Sequence, residues 1–220
     1  MPSPLRPVLL FVHGLWMTGV EATAFRRRLE NRHGFDTRLF TYRTIREPLE
    51  TVVDRLGEQL RLQTAERGEG AVHVVAHSLG GLVTLACLER FEATLRTGRV
   101  VLLGSPVCGS AAARVAGSFG IGRWLIGPVA ARELIAPRRR ELPSGWEIGT
   151  LAGTRPMGLG RLLARFDEPN DGTVAVSETR LSGARDQLVM PVSHLGMLMS
   201  PRVADSCGHF LREGRFPLQA

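Results

Sequence analysis

Short, almost wholly apolar runs alternate with longer amphipathic runs along the whole chain. The apolar runs are typical of strands buried on both faces, and the amphipathic runs are typical of helices that pack on a sheet. The predicted strands are 8–12, 37–42, 72–76, 100–103, 148–152 and 187–192, with 174–176 as a further short candidate. The predicted helices are 21–32, 48–66, 79–91 and 202–212.

This alternation predicts an α/β fold with a mostly parallel six-stranded sheet and helices on both faces. We expect one domain over residues 1–220, because no repeat, low-complexity segment or linker divides the chain. The segment 107–146 is too long for a simple crossover, and glycines interrupt its amphipathic stretch, 114–135. Two interpretations stay open: a lid or cap over a site, or an ordinary crossover helix with an irregular approach.

The most informative stretch lies where the third predicted strand meets the next helix, at residues 76–81, Ala-His-Ser-Leu-Gly-Gly. A serine at the apex of a tight strand–turn–helix is the layout of a nucleophile elbow. Ala76 and Gly80 flank Ser78 at positions where a larger side chain would collide with the backbone. The helix that begins at Leu79 directs its amide N–H groups at the serine, which favours negative charge there.

A serine nucleophile needs a base, and that base needs an orienting carboxylate. In a fold with this elbow the partners follow the serine in the order Asp or Glu, then His. Only His194 and His209 follow Ser78. His194 lies just after the last predicted strand, at the sheet edge where open α/β folds bind ligands, whereas His209 lies inside the last helix. We therefore expect His194 to be the base.

Asp171 is the expected carboxylate, because Asn-Asp-Gly at 170–172 is turn chemistry that would place it on a loop at the sheet edge. Asp167 and Glu168 are the nearest alternatives, and an aspartate that serves only the turn is another interpretation. The expected oxyanion donors are the backbone N–H groups of Leu79 and Leu15.

Two other histidines lie beside these residues. His13 is expected to hold the loop after the first strand, where Gly14 lets the backbone turn closely. His77 adjoins the nucleophile, so it is expected to contact neighbouring loops rather than to act as the base.

The net charge of +7 comes from 28 arginines and no lysine against 21 acidic residues. The arginines are scattered and have no aromatic interleaving, which favours solvated faces and argues against nucleic acid as a partner. Peripheral contact with an anionic membrane surface stays open. No apolar run approaches the roughly 20 residues of a membrane span, and the apolar stretch 8–12 is too short for a signal peptide. Three cysteines without paired spacing favour a reducing, cytoplasmic location.

Taken together, these stretches resemble the α/β-hydrolase superfamily, and in detail its small bacterial lipases and esterases whose elbow reads Ala-His-Ser-x-Gly-Gly. The related GPI-inositol-deacylase-like hydrolases share the His-Gly loop. The matching stretches are 11–15, 75–81, 103–106, 170–174 and 192–196. The resemblance implies a Ser78–Asp171–His194 triad with Leu15 and Leu79 at the oxyanion, and it implies neither a metal nor an organic cofactor.

The chain departs from this family pattern in two places. Its first predicted strand leads directly to His13, without the N-terminal antiparallel strands of larger members, so we expect a minimal sheet. Residues 107–110 read Val-Cys-Gly-Ser where relatives commonly have His or Lys followed by Gly-Thr. Substrate contacts at that position therefore do not carry over.

The expected activity is hydrolysis of a small-molecule or lipid-like carboxylic ester through an acyl-enzyme. A thioesterase or an acyltransferase would use the same triad and is one alternative. A non-catalytic binding protein on a hydrolase fold is another. The sequence does not indicate the oligomeric state.

Overall fold

The computed structural model describes residues 6–67, 72–95, 98–110, 142, 146–157 and 167–218. Of the segment 107–146, only residues 107–110, 142 and 146 are described. The stretch 114–135, which the sequence assigns to a lid or a crossover helix, lies outside the described residues.

Six parallel strands form one sheet in the described part of the chain, in the order β2-β1-β3-β4-β5-β6. The strands are β1 Val8–Val12, β2 Asp36–Phe40, β3 Val72–His77, β4 Arg99–Leu103, β5 Glu147–Gly153 and β6 Asp186–Met190. This arrangement confirms the predicted parallel six-stranded sheet.

Helices cover both faces of the sheet. They are α1 Thr23–His33, α2 Leu49–Arg67, α3 Leu79–Phe91, α4 Gly196–Met199 and α5 Pro201–Glu213. Short 3₁₀ turns lie at Val20–Ala22 and Ser177–Thr179. None of the described helices is long and apolar enough to cross a membrane.

Strand β1 shows why two layers of helices are required, since its residues alternate between two buried faces. Leu10 and Val12 belong to the core under α2 and α3. Leu9 and Phe11 belong to the core under α1 and α5. A strand that is apolar on both faces is stable only between two such layers.

The strand order places a crevice at one point of the sheet. The chain adds β2 on one side of β1 and β3 on the other, so the direction of winding reverses between β1 and β3. Open parallel sheets bind ligands outside the carboxyl ends of the strands at such a reversal. Here the loop after β1 and residue Ser78 after β3 lie at that point.

Two local predictions were incorrect or incomplete. Residues 174–176 do not form a strand, and apart from a single antiparallel bridge between Asn170 and Ala175 they turn back on the preceding loop. The backbone amide of Val174 donates to the side chain of Asp171, and its carbonyl accepts from the Asp171 amide, so neither group is left for a neighbouring strand. The short helix α4 was not predicted.

The buried His73 on β3 should make the stability of the fold depend on pH. The Arg99 amide donates to its Nδ1 at 3.2 Å, so that nitrogen carries no proton. Burial, with Arg99 and Arg212 nearby, lowers the pKa of His73 from 6.5 to about 4. Because the folded-state pKa is depressed, the unfolded chain takes up the proton first as the pH falls.

We therefore expect the free energy of unfolding to fall between pH 6.5 and about 4. His73→Asn keeps an acceptor for Arg99 but does not titrate, so it should reduce the slope by up to about 1.4 kcal/mol per pH unit. Urea unfolding of both proteins across this range measures the difference. Equal slopes would contradict the assignment of a buried neutral His73.

Candidate active site

Ser78 lies at the apex of a strained turn between β3 and α3. Its φ and ψ are 55° and −124°, a conformation that a residue with a side chain rarely adopts. Its amide donates to the Leu103 carbonyl at 2.8 Å, and its carbonyl accepts from Gly81 at 3.0 Å. A Cβ on Gly80 would lie 2.5 Å from the carbonyl oxygens of Val12 and His13, so the turn leaves no room for a side chain there.

A buried carboxylate–imidazole pair lies at the same edge of the sheet. His194 Nδ1 is 2.7 Å from Asp171 Oδ2, and Asp171 is 1% exposed. The second oxygen, Oδ1, accepts from the amides of Thr173 and Val174 at 2.9 and 2.8 Å. Because an ionised carboxylate only accepts, the proton of a neutral His194 lies on Nδ1 and Nε2 keeps its lone pair.

The backbone reinforces this pair. The His194 amide donates to the Asp171 carbonyl at 2.9 Å. The turn at 170–172 is closed by the Gly172 amide, which donates to Asn170 Oδ1 at 3.0 Å. Contacts within its own loop therefore hold the Asp171 carboxylate in place, and the carboxylate in turn orients the imidazole of His194.

Gly104, just past β4, joins the serine to this pair. It has a φ of 52°, and a Cβ there would lie 3.0 Å from Asp171 Oδ2 and 3.1 Å from His194 Nδ1. The carbonyl of the preceding residue, Leu103, accepts a hydrogen bond from the Ser78 amide. Sequence reasoning missed this contact, and the only signal for it is a glycine that follows a buried strand.

The loop after β1 packs directly on the serine. A Cβ on Gly14 would lie 2.9 Å from the Ser78 Cβ. The loop turns as the Met17 amide donates to the Gly14 carbonyl at 3.4 Å, with Trp16 at a φ of 57°. The backbone of this loop therefore lies so close to the Ser78 side chain that only a glycine fits at position 14.

His13 anchors this loop and is itself fully buried. Its Nδ1 lies 2.9 Å from the Gly14 carbonyl, and its Nε2 accepts from the Tyr42 amide at 3.2 Å. The Tyr42 hydroxyl donates to the His13 carbonyl at 3.0 Å, and the two rings stack. Burial lowers the pKa of His13, which agrees with a neutral ring that holds both sides of the loop.

The backbone amides of Leu15 and Leu79 are the two donors that the sequence predicts at the oxyanion. Within the part of the chain that the structure describes, neither N–H has a hydrogen-bond acceptor. Leu79 is 1% exposed and is the first residue of α3, so its N–H lies in the first turn, where the helix itself supplies no acceptor. Leu15 follows Gly14 and Leu79 follows Ser78, so both unpaired donors adjoin the serine.

The alternative side chains named from the sequence lie elsewhere. Asp167 and Glu168 are exposed, and Glu168 accepts from the Ser177 hydroxyl at 2.7 Å. His209 on α5 lies 2.9 Å from the Arg215 carbonyl through its Nδ1. The structure therefore brings Asp171, and neither nearby alternative, to His194. Ser78 is partly exposed and lies at the same sheet edge as the His194–Asp171 pair and next to the two free amides. A serine in such a setting can act as a nucleophile toward a carbonyl or phosphoryl centre once the histidine is within hydrogen-bond reach.

Comparison with known proteins identifies a family whose model matches this chain. The alpha/beta hydrolase family model matches residues 9–213. No curated protein sequence matches the chain.

Solved structures share the fold. The mature form of lipase BlEst2 from Bacillus licheniformis is 20% identical over 96% of this chain and 93% of that chain, with a TM-score of 0.73. The thioesterase RedJ from the prodiginine pathway of Streptomyces coelicolor is 15% identical over 94% and 90%, with a TM-score of 0.59. Phospholipase PlaB from Legionella pneumophila is 16% identical over 79% of this chain and 45% of that chain, also with a TM-score of 0.59.

Gly104→Ala tests the close approach at the centre of the site. The added Cβ would strain a positive φ and displace either Asp171 or His194, so we expect Ser78 to react with a fluorophosphonate at least about 100-fold more slowly. Gly34→Ala at the end of α1 is the matched control, because its φ of 68° imposes the same kind of strain far from the serine. Equal reactivity of the two variants would contradict the described contact.

Proposed function

Because the chain belongs to the alpha/beta hydrolase family, we propose that it is a serine hydrolase of carboxylic esters in which Ser78, His194 and Asp171 form the catalytic triad. Hydrolase activity is what membership of the family supports. The ester bond and the roles of the three residues are the further content of the proposal.

One observation carries it: a carboxylate that is 1% exposed binds His194 Nδ1 at 2.7 Å. A buried charge is costly unless it is paired and hydrogen-bonded, and this one is held by its own loop and directed at the imidazole. That arrangement fixes the tautomer that a general base needs, since it leaves Nε2 for the hydroxyl of Ser78.

The reaction then follows in two halves. Ser78 Oγ bonds to the carbonyl carbon while its proton passes to His194 Nε2. The tetrahedral intermediate collapses, the bond to the leaving oxygen breaks, and that oxygen takes the proton from Nε2 and leaves as an alcohol. Water next gives a proton to Nε2 and attacks the acyl-enzyme, and the acid departs as Ser78 regains its proton.

The Leu15 and Leu79 amides are proposed to bind the oxyanion of both intermediates. Their support is that neither N–H has an acceptor among the described residues and that both adjoin the serine. Each donor of this kind typically contributes about 10²- to 10³-fold in rate.

An apolar acyl group is the substrate class that the surroundings favour. Large apolar side chains that are more than half exposed lie next to site residues in the chain: Trp16 after Leu15, and Leu195 after His194. Met157 is also exposed, and its backbone packs on Gly172. Exposed apolar side chains next to the site suit a lipid-like acyl chain, and an oxygen ester and a thioester would suit them equally.

The location and the partners of the enzyme are proposed from its cysteines and its charge. The three cysteines are free, which supports the reducing, cytoplasmic location that the sequence predicts. The net charge of +7 keeps peripheral contact with an anionic membrane surface open, and the scattered placement of the arginines argues against a nucleic-acid partner. The likeness to GPI-inositol-deacylase-like hydrolases stays a prediction.

Fluorophosphonate labelling tests the nucleophile. We expect a single adduct on Ser78 by peptide mass spectrometry, and we expect turnover in a p-nitrophenyl ester series of graded chain length run beside acyl thioesters. Ser78→Ala should abolish both, whereas Ser105→Ala, a buried serine just past β4, should keep the label on Ser78. Folded wild-type protein that is neither labelled nor active would contradict the proposal.

Asp171→Asn tests the carboxylate. The amide should favour the wrong imidazole tautomer and lower kcat by about 10³- to 10⁴-fold. Asp186→Asn is the matched control, since that carboxylate also accepts two backbone amides, from Gln187 and Phe216, and lies at the start of β6. If the two variants lose similar activity, Asp171 acts only in its turn.

A further inference from the structure

We infer that His77 is a positioning residue that holds the backbone of His194 at a fixed place beside Ser78. The inference rests on the proposed function, because it assigns a role within the same triad. The sequence predicts only that His77 contacts neighbouring loops, and the mechanism above does not use it.

His77 is the last residue of β3, and its ring is fully buried. Its Nε2 lies 3.0 Å from the backbone carbonyl oxygen of His194, 117 residues further along the chain. A carbonyl only accepts hydrogen bonds, so Nε2 carries the proton and donates it. The two imidazole rings are also in contact, with their centres 4.6 Å apart and their planes tilted by 47°.

This bond completes the restraint of His194. Its side chain is bound through Nδ1 to Asp171, and its amide donates to the Asp171 carbonyl. Both of those contacts lead to one loop outside the sheet. Among the contacts of the described residues, the His77 hydrogen bond is the one that ties the His194 backbone to a central strand, and that strand continues directly into Ser78.

The consequence is geometric. Residues 77 and 78 are joined by one peptide bond, so the group that holds the base and the nucleophile move together. Proton transfer between Ser78 and His194 needs the two side chains within hydrogen-bond reach, and a misplacement of about 1 Å can cost about 10²-fold in rate. A rigid strand end holds the distance between Ser78 and His194 more precisely than a loop does.

The charge state of His77 suits this role. Burial, and then the proximity of His194, lowers the pKa of His77 to about 3, so the ring stays neutral when His194 gains its proton during catalysis. The other nitrogen, Nδ1, is buried and has no hydrogen-bond partner among the described residues. The Nε2–H donor is therefore the group of this ring that the structure uses, and a side chain with a donor at that distance should replace it.

His77→Leu and His77→Gln separate the donor from the ring. Leucine fills much of the volume without a donor, and the glutamine amide places an N–H near the position of Nε2. We expect His77→Leu to lower kcat for p-nitrophenyl esters by about 10- to 100-fold with little change in KM. We expect His77→Gln to stay within about threefold of the wild type. His73→Leu on the same strand is the control for a buried histidine whose loss perturbs β3 without touching His194.

A kcat for folded His77→Leu within about twofold of the wild type would overturn the inference, as would an equal loss in the glutamine and leucine variants. Imidazole ¹⁵N NMR of the wild-type protein at neutral pH tests the same contact without any variant. A neutral ring protonated on Nε2 is expected, and a proton on Nδ1 would overturn the inference. If the wild type neither hydrolyses esters nor accepts the fluorophosphonate, the proposed function fails, while the NMR result still reports on the contact.

Discussion

The site depends on a carboxylate that the fold has removed from water. Asp171 is 1% exposed, so its charge must be met by protein groups, and all three of its described side-chain contacts are donors. Two of those donors are backbone amides of its own loop, which leaves one oxygen for His194. The need to satisfy the buried charge therefore determines both the path of residues 170–174 and the orientation of the imidazole.

Close packing of backbone at the carboxyl ends of the strands brings the remaining groups to this pair. Gly14 touches Ser78, Gly80 touches the end of β1, and Gly104 touches both Asp171 and His194. In each case a Cβ would lie about 3 Å or less from its neighbour. The strand order places β1 next to β3 and β3 next to β4, so these three contacts lie at the carboxyl ends of adjacent strands, beside the point where the winding of the sheet reverses.

The sequence predicted the sheet well because its four inner strands, β1, β3, β4 and β5, are mostly apolar runs that only a two-sided core can bury. It also indicated Ser78, Asp171 and His194, which the structure places at one edge of the sheet, because turn residues follow strands in a recognisable order. It failed at 174–176, where β-branched residues favour a strand but the backbone of Val174 is bonded to Asp171. The contact of Gly104 joins residues that are distant in the chain, so no local pattern predicts it. For His77 the sequence predicted contact with neighbouring loops but did not identify the His194 carbonyl as the partner.

The central claim is that serine, histidine and aspartate act as one nucleophilic unit, and a double-mutant cycle on kcat tests it most directly. Ser78→Ala and His194→Ala should each lower the rate to a similar residual value, and the double variant should be no slower, because groups that act as a unit are not additive. Independent losses that multiply in the double variant, or a His194→Ala variant that keeps the wild-type rate, would contradict the account.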